Sequence, residues 1–306
     1  MTMNMRVIIG IPVHNEANNI GELLNDILIQ KLDNDISKDI SKDIIVVSDN
    51  STDNTDKIVT SFTEKYKNIK LIRRQNRLGK YDALNLMFGI ANKYDILILL
   101  DGDVRLGSNT LKFLLEKITR SDNIGLIAGN PIPYKPRNIL NIAEHAAFFS
   151  YVILDKIKNT YPPGIYHAHG RVLALSKKLC ENIIISDNMS VGDDQFIYLY
   201  CIKNGFKFEY APDAIVFHKL PKTINDYTRQ SIRFTMSIKE KEMFFERQFV
   251  KNHMGGINKP LIFFKSFIQY PYEGLCWSFT YTIGRLSMFI KKRTVTPLWE
   301  ISKTTK

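Results

Sequence analysis

Residues 96–103 read Ile-Leu-Ile-Leu-Leu-Asp-Gly-Asp. The five apolar residues predict a strand that is buried on both faces, as in a parallel sheet. Asp101 and Asp103 follow at its end, and in an open α/β sheet ligands bind just beyond the carboxyl ends of the strands. Paired carboxylates there suit Mg²⁺ or Mn²⁺, and through the cation a diphosphate. The alternative is that the two aspartates cap a helix beginning near Ser108.

Strand and helix patterns alternate through the first hundred residues. Buried strands are predicted at 7–13, 44–48, 69–73 and 96–100, with amphipathic helices between them. This alternation predicts a doubly wound, mostly parallel sheet flanked by helices. We expect the repeat at 33–43 to be a surface insertion. The later predictions are a helix at 108–119, a strand at 125–129, a proline-rich loop at 130–137, a helix at about 138–158, and strands at 165–175, 207–210 and 214–217.

Polar turns follow the early strands. His14-Asn15-Glu16 ends the first strand, and Asp49 lies in the exit of the second, where it is placed to accept hydrogen bonds from a ribose or a base. Asn76-Arg77-Leu78-Gly79-Lys80 is a basic glycine turn that leads into a helix. Lys80 and the backbone N–H groups at that helix start are suited to phosphate oxygens, although a solvated basic turn explains the same residues equally well.

Three further polar groups lie downstream. His167 and His169, two residues apart on a predicted strand, have a spacing that a metal can use, but no further Cys or His completes a local cluster. Asp193 and Asp194 open a predicted helix. Capping and the helix dipole explain two acids in that place, and a general base is the functional alternative. Thr223 is predicted to cap a long helix.

Composition indicates a globular protein. The chain has 306 residues, of which 44% are hydrophobic and 24% charged, and this allows one large domain and an appendage. The first strand begins by Val7, so we expect no leader peptide. The three cysteines are far apart and predict reduced thiols in a cytosolic compartment. No uncharged apolar run of membrane-spanning length occurs.

The excess positive charge lies at the C-terminal end. Residues 219–306 contain 16 Lys and Arg against 6 Asp and Glu, whereas residues 1–218 contain 26 and 25. Basic and aromatic residues together suit an anionic membrane surface or nucleic acid. The aromatic residues occur in apolar clusters, as at 261–264, rather than as single rings between arginines. This pattern favours the membrane over nucleic acid.

The order of the motifs resembles that of the family 2 glycosyltransferases of the GT-A fold. The similarity is greatest to the branch with cellulose synthase, hyaluronan synthase and ceramide glucosyltransferase, and it covers about residues 6–250. The segments that carry it are, in order, Pro12–Glu16, Asp49–Thr55, Asn76–Asn85, Asp101–Asp103, Gly192–Asp194 and Gln230–Phe234. Two positions depart from the family pattern, because Asn50 replaces an acid and Phe234 replaces a tryptophan.

The resemblance implies a role for each motif. It implies that Mn²⁺ or Mg²⁺ is the cofactor and that Asp194 is the general base. The donor nucleotide would be bound by Pro12, His14, Glu16, Asp49, Lys80 and Asp101. The metal would be held by Asp103 and His218. The diphosphate and the acceptor would contact Asp193, Gln230, Arg233 and Phe234.

The implied activity is inverting transfer of a sugar from a nucleotide diphosphate sugar, with a UDP-sugar favoured. The acceptor would be a hydroxyl or phosphate of a lipid-linked or polysaccharide molecule, and the expected location is the cytoplasmic face of the membrane. Residues 1–220 would form the GT-A catalytic domain. Residues 221–306 would form an amphipathic, membrane-associating extension, because the apolar stretch at 258–290 is interrupted by charges and a proline.

Two other functions remain open at this point. A non-catalytic protein that binds nucleotide sugars would need the same pocket without the chemistry. A sugar nucleotidyltransferase uses a similar sheet and carboxylates, but it should have a basic, glycine-rich loop after its first strand. Residues 14–17, His-Asn-Glu-Ala, do not form such a loop.

Overall fold

The structure is a computed structural model that describes residues 5–32, 40–186, 192–254, 256–290 and 305, without the side chains of 233–239 and 285–290. The strands are β1 (Met5–Val13), β2 (Ile40–Ser48), β3 (Ile69–Arg73), β4 (Ile96–Leu100), β5 (Val104–Leu106), β6 (Ile124–Pro133), β7 (Val172–Ser176) and β8 (Lys207–His218). The helices are α1 (Ile20–Ile29), α2 (Thr55–Lys65), α3 (Lys80–Ala91), α4 (Thr110–Ile118), α5 (Ile142–Thr160), α6 (Lys177–Cys180), α7 (Asp193–Lys203), α8 (Ile224–Phe244), α9 (Arg247–Met254), α10 (Lys259–Gln269) and α11 (Pro271–Ile290).

The described strands form one mixed sheet with the order β3-β2-β1-β4-β7-β6-β8-β5. Strands β3, β2, β1 and β4 are parallel to one another, and so are β6 and β8. Strand β7 runs antiparallel between β4 and β6, and the short β5 is antiparallel to β8. The predicted alternation is therefore confirmed for the first four long strands, and the sheet is mostly parallel.

Strand β4 shows why the sheet is buried on both faces. Leu97 and Leu99 pack into a core with α3, α6 and α7, whereas Ile96, Ile98 and Leu100 pack into a second core with α1, α2 and α4. Successive side chains of a strand point to opposite faces, so an uninterrupted apolar run supplies both cores. The result is a three-layer arrangement with the sheet in the middle.

The predicted bounds are wrong for three strands after residue 120. Residues 130–133 are not loop, because β6 continues along β8 after a register shift near Ala128. Strand β8 runs as one strand over 207–218 instead of two, with the irregularity between Tyr210 and Ile215. Strand β7 begins only at Val172, so His167 and His169 lie in the preceding turn rather than on one strand face. The repeat at 33–43 falls mostly outside the described residues, and its last four residues begin β2.

Helices α10 and α11 pack against α5. Cys276 of α11 is buried beside Ala143 and Phe148 of α5, and the indole of Trp277 donates a hydrogen bond to Ser150 Oγ at 3.1 Å. The start of α8 is as predicted, because the Thr223 side chain accepts the N–H of Asp226. In the part of the chain that the structure describes, no helix is long and apolar enough to cross a membrane.

Candidate functional site

Hydrogen bonds join the turns that follow β1 and β2. Asn15 and Asn50 both adopt left-handed backbone conformations, with φ of 57° and 56°. Asparagine tolerates this region better than most residues. The Asn15 side chain accepts the N–H of Thr52 at 2.7 Å, and Asn15 N–H donates to Ser51 Oγ at 3.1 Å. The imidazole of His14 bonds to the carbonyl of Asp49 at 2.8 Å. The two strand exits therefore form one connected surface.

Asp49 organises the basic turn. Its carboxylate is fully buried and accepts the N–H groups of Leu78 at 2.8 Å and Gly79 at 2.9 Å. The guanidinium of Arg74 lies 3.5 Å from the same carboxylate. Gly79 has a φ of 95°, which L side chains rarely adopt, and Lys80 begins α3 directly after it. Asp49 thus fixes the turn that precedes Lys80. The contact of Asp49 with a nucleotide stays a prediction.

Lys80 joins two of the predicted motifs. Its ammonium lies 2.8 Å from Asp101 Oδ1 and 2.9 Å from Asp193 Oδ2. We call these three residues the lysine triad. Burial lowers the pKa of Lys80, but the two carboxylates outweigh burial and raise it overall. Burial raises the pKa of Asp101, against the attraction of Lys80 and with the repulsion of Asp103 and Asp193. The triad therefore places a fixed cation between two carboxylates.

Gly102 lets the carboxylate turn approach the first strand. A Cβ at this position would lie 2.8 Å from Val13 Cγ1 and 3.1 Å from Glu16 Cγ, which is too close for a side chain. Asp103, next to it, is half-buried. Helix α4 begins only at Thr110 and has Asn109 at its N-cap position. The alternative in which Asp101 and Asp103 cap this helix is therefore wrong.

His218 lies beside the carboxylate turn. The pairing of β5 with β8 sets His218 opposite Val104, the residue after Asp103. His218 Nδ1 is 3.1 Å from the carbonyl of Lys219, so Nδ1 carries the proton and Nε2 keeps its lone pair. Burial and the nearby Arg171 hold the pKa of His218 well below its usual value. A neutral imidazole with an available Nε2 is the form that binds a metal.

His167 and His169 do not form a joint site. His167 Nδ1 accepts the N–H of Gly164 at 3.1 Å, and its Nε2 lies 3.1 Å from the carbonyl of Lys158. Both nitrogens of His167 are therefore used to fix the turn. His169 Nε2 is 3.1 Å from the guanidinium of Arg171. Burial and Arg171 hold the pKa of His169 well below its usual value, and His218 also contributes. The shared metal site suggested by their spacing is therefore wrong.

Asp194 is held by the backbone at the start of α7. Its Oδ2 accepts the N–H of Gly170 at 3.1 Å and its Oδ1 accepts the N–H of Gln195 at 2.7 Å. Burial and the neighbouring Asp193 raise the pKa of Asp194 to about 6, against those two hydrogen bonds and Lys80. Each carboxylate oxygen retains a further lone pair. Asp194 can therefore accept a proton from a bound hydroxyl near neutral pH.

The donor set suits a hard cation held partly by its substrate. No group of three or more His, Cys, Asp or Glu side chains within the described residues has a metal-binding arrangement. Mg²⁺ is often bound through one or two carboxylates together with substrate phosphates, and such a site needs no full protein cage. Asp101, Asp103 and the neutral His218 are chemically suited to that mode.

Helix α8 contributes one residue that the sequence motifs missed. Gln230 is half-buried in α8, whereas the side chains of Arg233 and Phe234 lie outside the described residues. Lys241 is 1% exposed, and burial lowers its pKa to about 8 although Asp194 acts in the opposite direction. This electrostatic interaction with Asp194 indicates that Lys241 of α8 lies near the site. The sequence carries no local signal for this, because Lys241 follows Asp194 by 47 positions.

Comparison with known proteins matches this chain to a family. The family model described as glycosyl transferase family 2 matches residues 8–184. The poly-beta-1,6-N-acetyl-D-glucosamine synthase of Staphylococcus aureus (strain MSSA476) is 23% identical over 221 residues, which is 72% of this chain and 52% of that protein. The synthase of the same name from Staphylococcus epidermidis is 22% identical over 191 residues. The chain thus spans about half the length of the curated relatives it matches.

Solved structures show the same fold. The mannosyltransferase PcManGT from Pyrobaculum calidifontis, solved with GDP-Man and Mn²⁺, gives a TM-score of 0.61 with 18% identity and covers 94% of this chain and 76% of its own. S. aureus TarS 1–349 in complex with UDP gives a TM-score of 0.53 with 19% identity, over 70% of this chain and 60% of its own. The GT-A type of fold expected from the sequence is confirmed.

The lysine triad predicts how replacement of Lys80 changes the stability of the protein. Replacement of Lys80 by Met removes the cation but keeps the aliphatic stem, so Asp101 and Asp193 repel each other without compensation. We expect a loss of about 2–4 kcal/mol in the free energy of unfolding. Chemical denaturation of the wild type and the variant measures this loss.

Lys112→Met is the matched control. Lys112 makes a partly exposed helical ion pair with Glu116 at 3.7 Å, which should contribute less than about 0.5 kcal/mol. Equal losses in the two variants would contradict a special role for the lysine triad.

Proposed function

This chain belongs to the glycosyl transferase family 2, and on that basis we propose that it is a glycosyltransferase that uses a nucleotide diphosphate sugar. One observation carries the proposal: the structure gathers Lys80, Asp101 and Asp193 into a charged cluster, with Asp194 beside it at the start of α7. The cluster supplies charges for a diphosphate and the neighbouring carboxylate supplies a base.

The reaction first requires that the leaving group be stabilised. Departure of a nucleoside diphosphate develops negative charge on phosphate oxygens, which cations and backbone N–H groups stabilise. Mn²⁺ or Mg²⁺ supplies Lewis-acid stabilisation of such oxygens when bound, and Asp103 and His218 are the proposed ligands. Lys80 is a cation that this chain itself contributes. We assign the nucleotide to the turns after β1 and β2, with Pro12, His14, Glu16 and Asp49.

The reaction also requires that the acceptor hydroxyl lose its proton. Asp194 takes its proton as the oxygen attacks the anomeric carbon from the side opposite the diphosphate. The attack forms a carbon–oxygen bond and breaks the bond to the diphosphate. A single displacement inverts the configuration, so an α-linked donor would give a β-linked product. The diphosphate and acceptor contacts assigned to Gln230, Arg233 and Phe234 of α8 belong to this proposal.

The donor and the acceptor are proposed by class. We favour a UDP-sugar as the donor and a lipid-linked or polysaccharide acceptor. The TarS structures with UDP and with UDP-GlcNAc and the polysaccharide named by the staphylococcal relatives support this class. A shift in melting temperature on a panel of nucleotide sugars with Mn²⁺ identifies the donor. A protein that binds a donor but transfers none of them would be the non-catalytic binder instead.

Asp194→Asn tests the base. The amide keeps the shape of the side chain but cannot take a proton, so we expect kcat to fall about 10²- to 10⁴-fold while nucleotide binding is retained. Turnover of the identified donor and isothermal titration with its nucleotide measure the two effects. The control is Asp122→Asn, an exposed acid outside the site. Unchanged turnover in Asp194→Asn would show that Asp194 is not the general base.

The pH profile of the wild type tests the same residue independently. The pKa of Asp194 is raised to about 6, so the ionised, proton-accepting form is lost as the pH falls through that value. We expect kcat/KM to be constant above about pH 7 and to fall about tenfold per pH unit below pH 5. An acidic limb centred near pH 4, the usual value for an aspartate, would contradict this environment.

We also propose that residues 221–306 form a membrane-associating extension and that the protein acts at the cytoplasmic face of a membrane. Helices α10 and α11 expose a row of large apolar side chains, which we call the apolar stripe: Leu261, Phe264, Ile268, Leu275 and Phe279. Within each helix, a spacing of three or four positions puts these side chains on one face. The net charge of the last 88 residues complements an anionic lipid surface.

Two substitutions in the apolar stripe test membrane binding. Phe264→Gln with Leu275→Gln removes side chains that are 62% and 61% exposed, so the fold should tolerate the change. We expect binding to phosphatidylglycerol-containing vesicles to weaken at least about tenfold, because each side chain loses roughly 1.5–3 kcal/mol of apolar burial. Vesicle co-sedimentation measures it. Ile29→Gln, 76% exposed on α1, is the control and should bind like the wild type. Equal binding by all three proteins would exclude the stripe as the docking surface.

A further inference from the structure

A cavity of about 350 Å³ lies beside the candidate site, between the end of β6, one face of α5 and the end of α10. This volume is at the small end of the range of roughly 300–1,000 Å³ for small-molecule sites. Its α5 wall consists of residues spaced three or four positions apart, among them Phe148, Tyr151 and Asp155. Gln269 and Tyr270 close it from α10. The wall from α10 lies beyond the residues matched by the family model.

The lining combines aromatic rings with polar groups. The ring of Phe148 lies 5.9 Å from that of Tyr151 and meets the ring of Tyr270 edge-on at 6.0 Å. Asp155 is half-buried, and its Oδ2 accepts a hydrogen bond from Asn159 at 3.1 Å. Burial and the nearby Asp155 raise the pKa of Tyr151 to about 12, so its phenol keeps its proton as a donor at neutral pH.

The cavity is close to the catalytic edge. Pro133, in its wall, is the register partner of His218, and His218 is the partner of Val104 on β5. The β6 wall of the cavity is therefore two strand spacings, or roughly 10 Å, from β5, the strand that follows Asp103. On the other wall, Lys158 follows Asp155 by one helical turn, and Arg171 contributes to lowering the pKa of Lys158. The β6 wall of the cavity is therefore close to His218 and to the strand that follows Asp103.

We propose that this cavity binds one pyranose unit of a glycan acceptor, at a distance of one or two sugar units from the hydroxyl that is glycosylated. The inference rests on the proposed function and names where its acceptor is held. A pyranose presents an apolar face of C–H groups, which packs on aromatic rings, and a rim of hydroxyls, which bond to carboxylates, amides and phenols. The rings of Phe148, Tyr151 and Tyr270 meet the first requirement. Asp155, Gln269 and the phenol groups meet the second.

A carboxylate in the lining favours a sugar over a lipid phosphate, although two lysines give the wall a net positive charge. Lys135 and Lys156 are the cations of the cavity wall, and Asp155 is an acid among them. The ammonium of Lys156 is already bonded to Gln269 Oε1 at 2.7 Å. A phosphate would meet the Asp155 carboxylate, whereas a sugar hydroxyl would donate a hydrogen bond to it. The cavity is therefore better matched to an uncharged, hydroxyl-rich ring.

Direct binding in the absence of donor tests this proposal separately from catalysis. The probes are short β-linked oligosaccharides of glucose, mannose, galactose and N-acetylglucosamine, titrated into the full chain and followed by saturation-transfer NMR. For the oligosaccharide that binds the wild type, we expect Tyr151→Ala to weaken binding about tenfold, since both ring contact and phenol are lost. Tyr151→Phe and Asp155→Asn preserve the packing and should each weaken it about threefold to tenfold.

Tyr66→Ala is the matched control. Tyr66 is a half-buried tyrosine that stacks on Phe62 at the end of α2, outside the cavity. It should bind the oligosaccharide like the wild type, and all variants should keep the wild-type response of melting temperature to nucleotide. In turnover assays the cavity variants should raise the KM for the acceptor and leave the KM for the donor unchanged.

Three outcomes would overturn the assignment of the cavity. The first is that the wild type binds none of the oligosaccharides. The second is that the cavity variants bind the oligosaccharide as tightly as Tyr66→Ala does. The third is that the cavity variants lose transfer to a lipid-phosphate acceptor but keep transfer to a free oligosaccharide. A wild type that binds a glycan through Tyr151 yet transfers no sugar would instead contradict the proposed function and leave the glycan site in place.

Discussion

The charge contact between Lys80 and the carboxylates of Asp101 and Asp193 is the interaction on which the site depends. Its three members come from the start of α3, the end of β4 and the start of α7. A half-buried carboxylate without a countercharge is costly, and two of them facing each other are more so. Lys80 removes that penalty and fixes the relative position of three elements. The same arrangement keeps a cation at the place where a diphosphate would leave.

The supports of this contact lie in the backbone. Asp49 is fully buried and binds the N–H groups of the turn before Lys80, while Gly170 donates a backbone N–H to Asp194. A Cβ on Gly170 would lie 3.4 Å from Asp193 Oδ2 and 3.5 Å from Lys80 Nζ, so this turn lies next to the triad. The backbone N–H group of Gly170 helps to set the pKa of Asp194, which is raised to about 6. Burial raises the value and backbone dipoles limit the rise.

The C-terminal helices extend the site in a different direction. Helices α10 and α11 bury one side against α5 through Cys276 and Trp277 and expose an apolar stripe on the other. The end of α10 also closes the cavity beside α5. A single element thus forms part of the proposed acceptor cavity and carries the proposed membrane contact. That arrangement would keep a lipid-linked or membrane-bound acceptor close to the catalytic edge.

The sequence by itself determined the first half of the fold and the identity of the carboxylates. Buried apolar runs and helix periodicity are local patterns, so they predicted β1 to β4 and the polar residues at their ends. The resemblance added Asp194 and the order of the motifs. Local patterns failed where the sheet depends on distant partners: residues 130–133 became strand because β8 lies beside them, and His167 fixes a turn instead of sharing a metal with His169. Only the tertiary structure decided that Lys80 bridges Asp101 to Asp193 and that Lys241 interacts electrostatically with Asp194, because both interactions join residues far apart in the chain and no local pattern records such a distance.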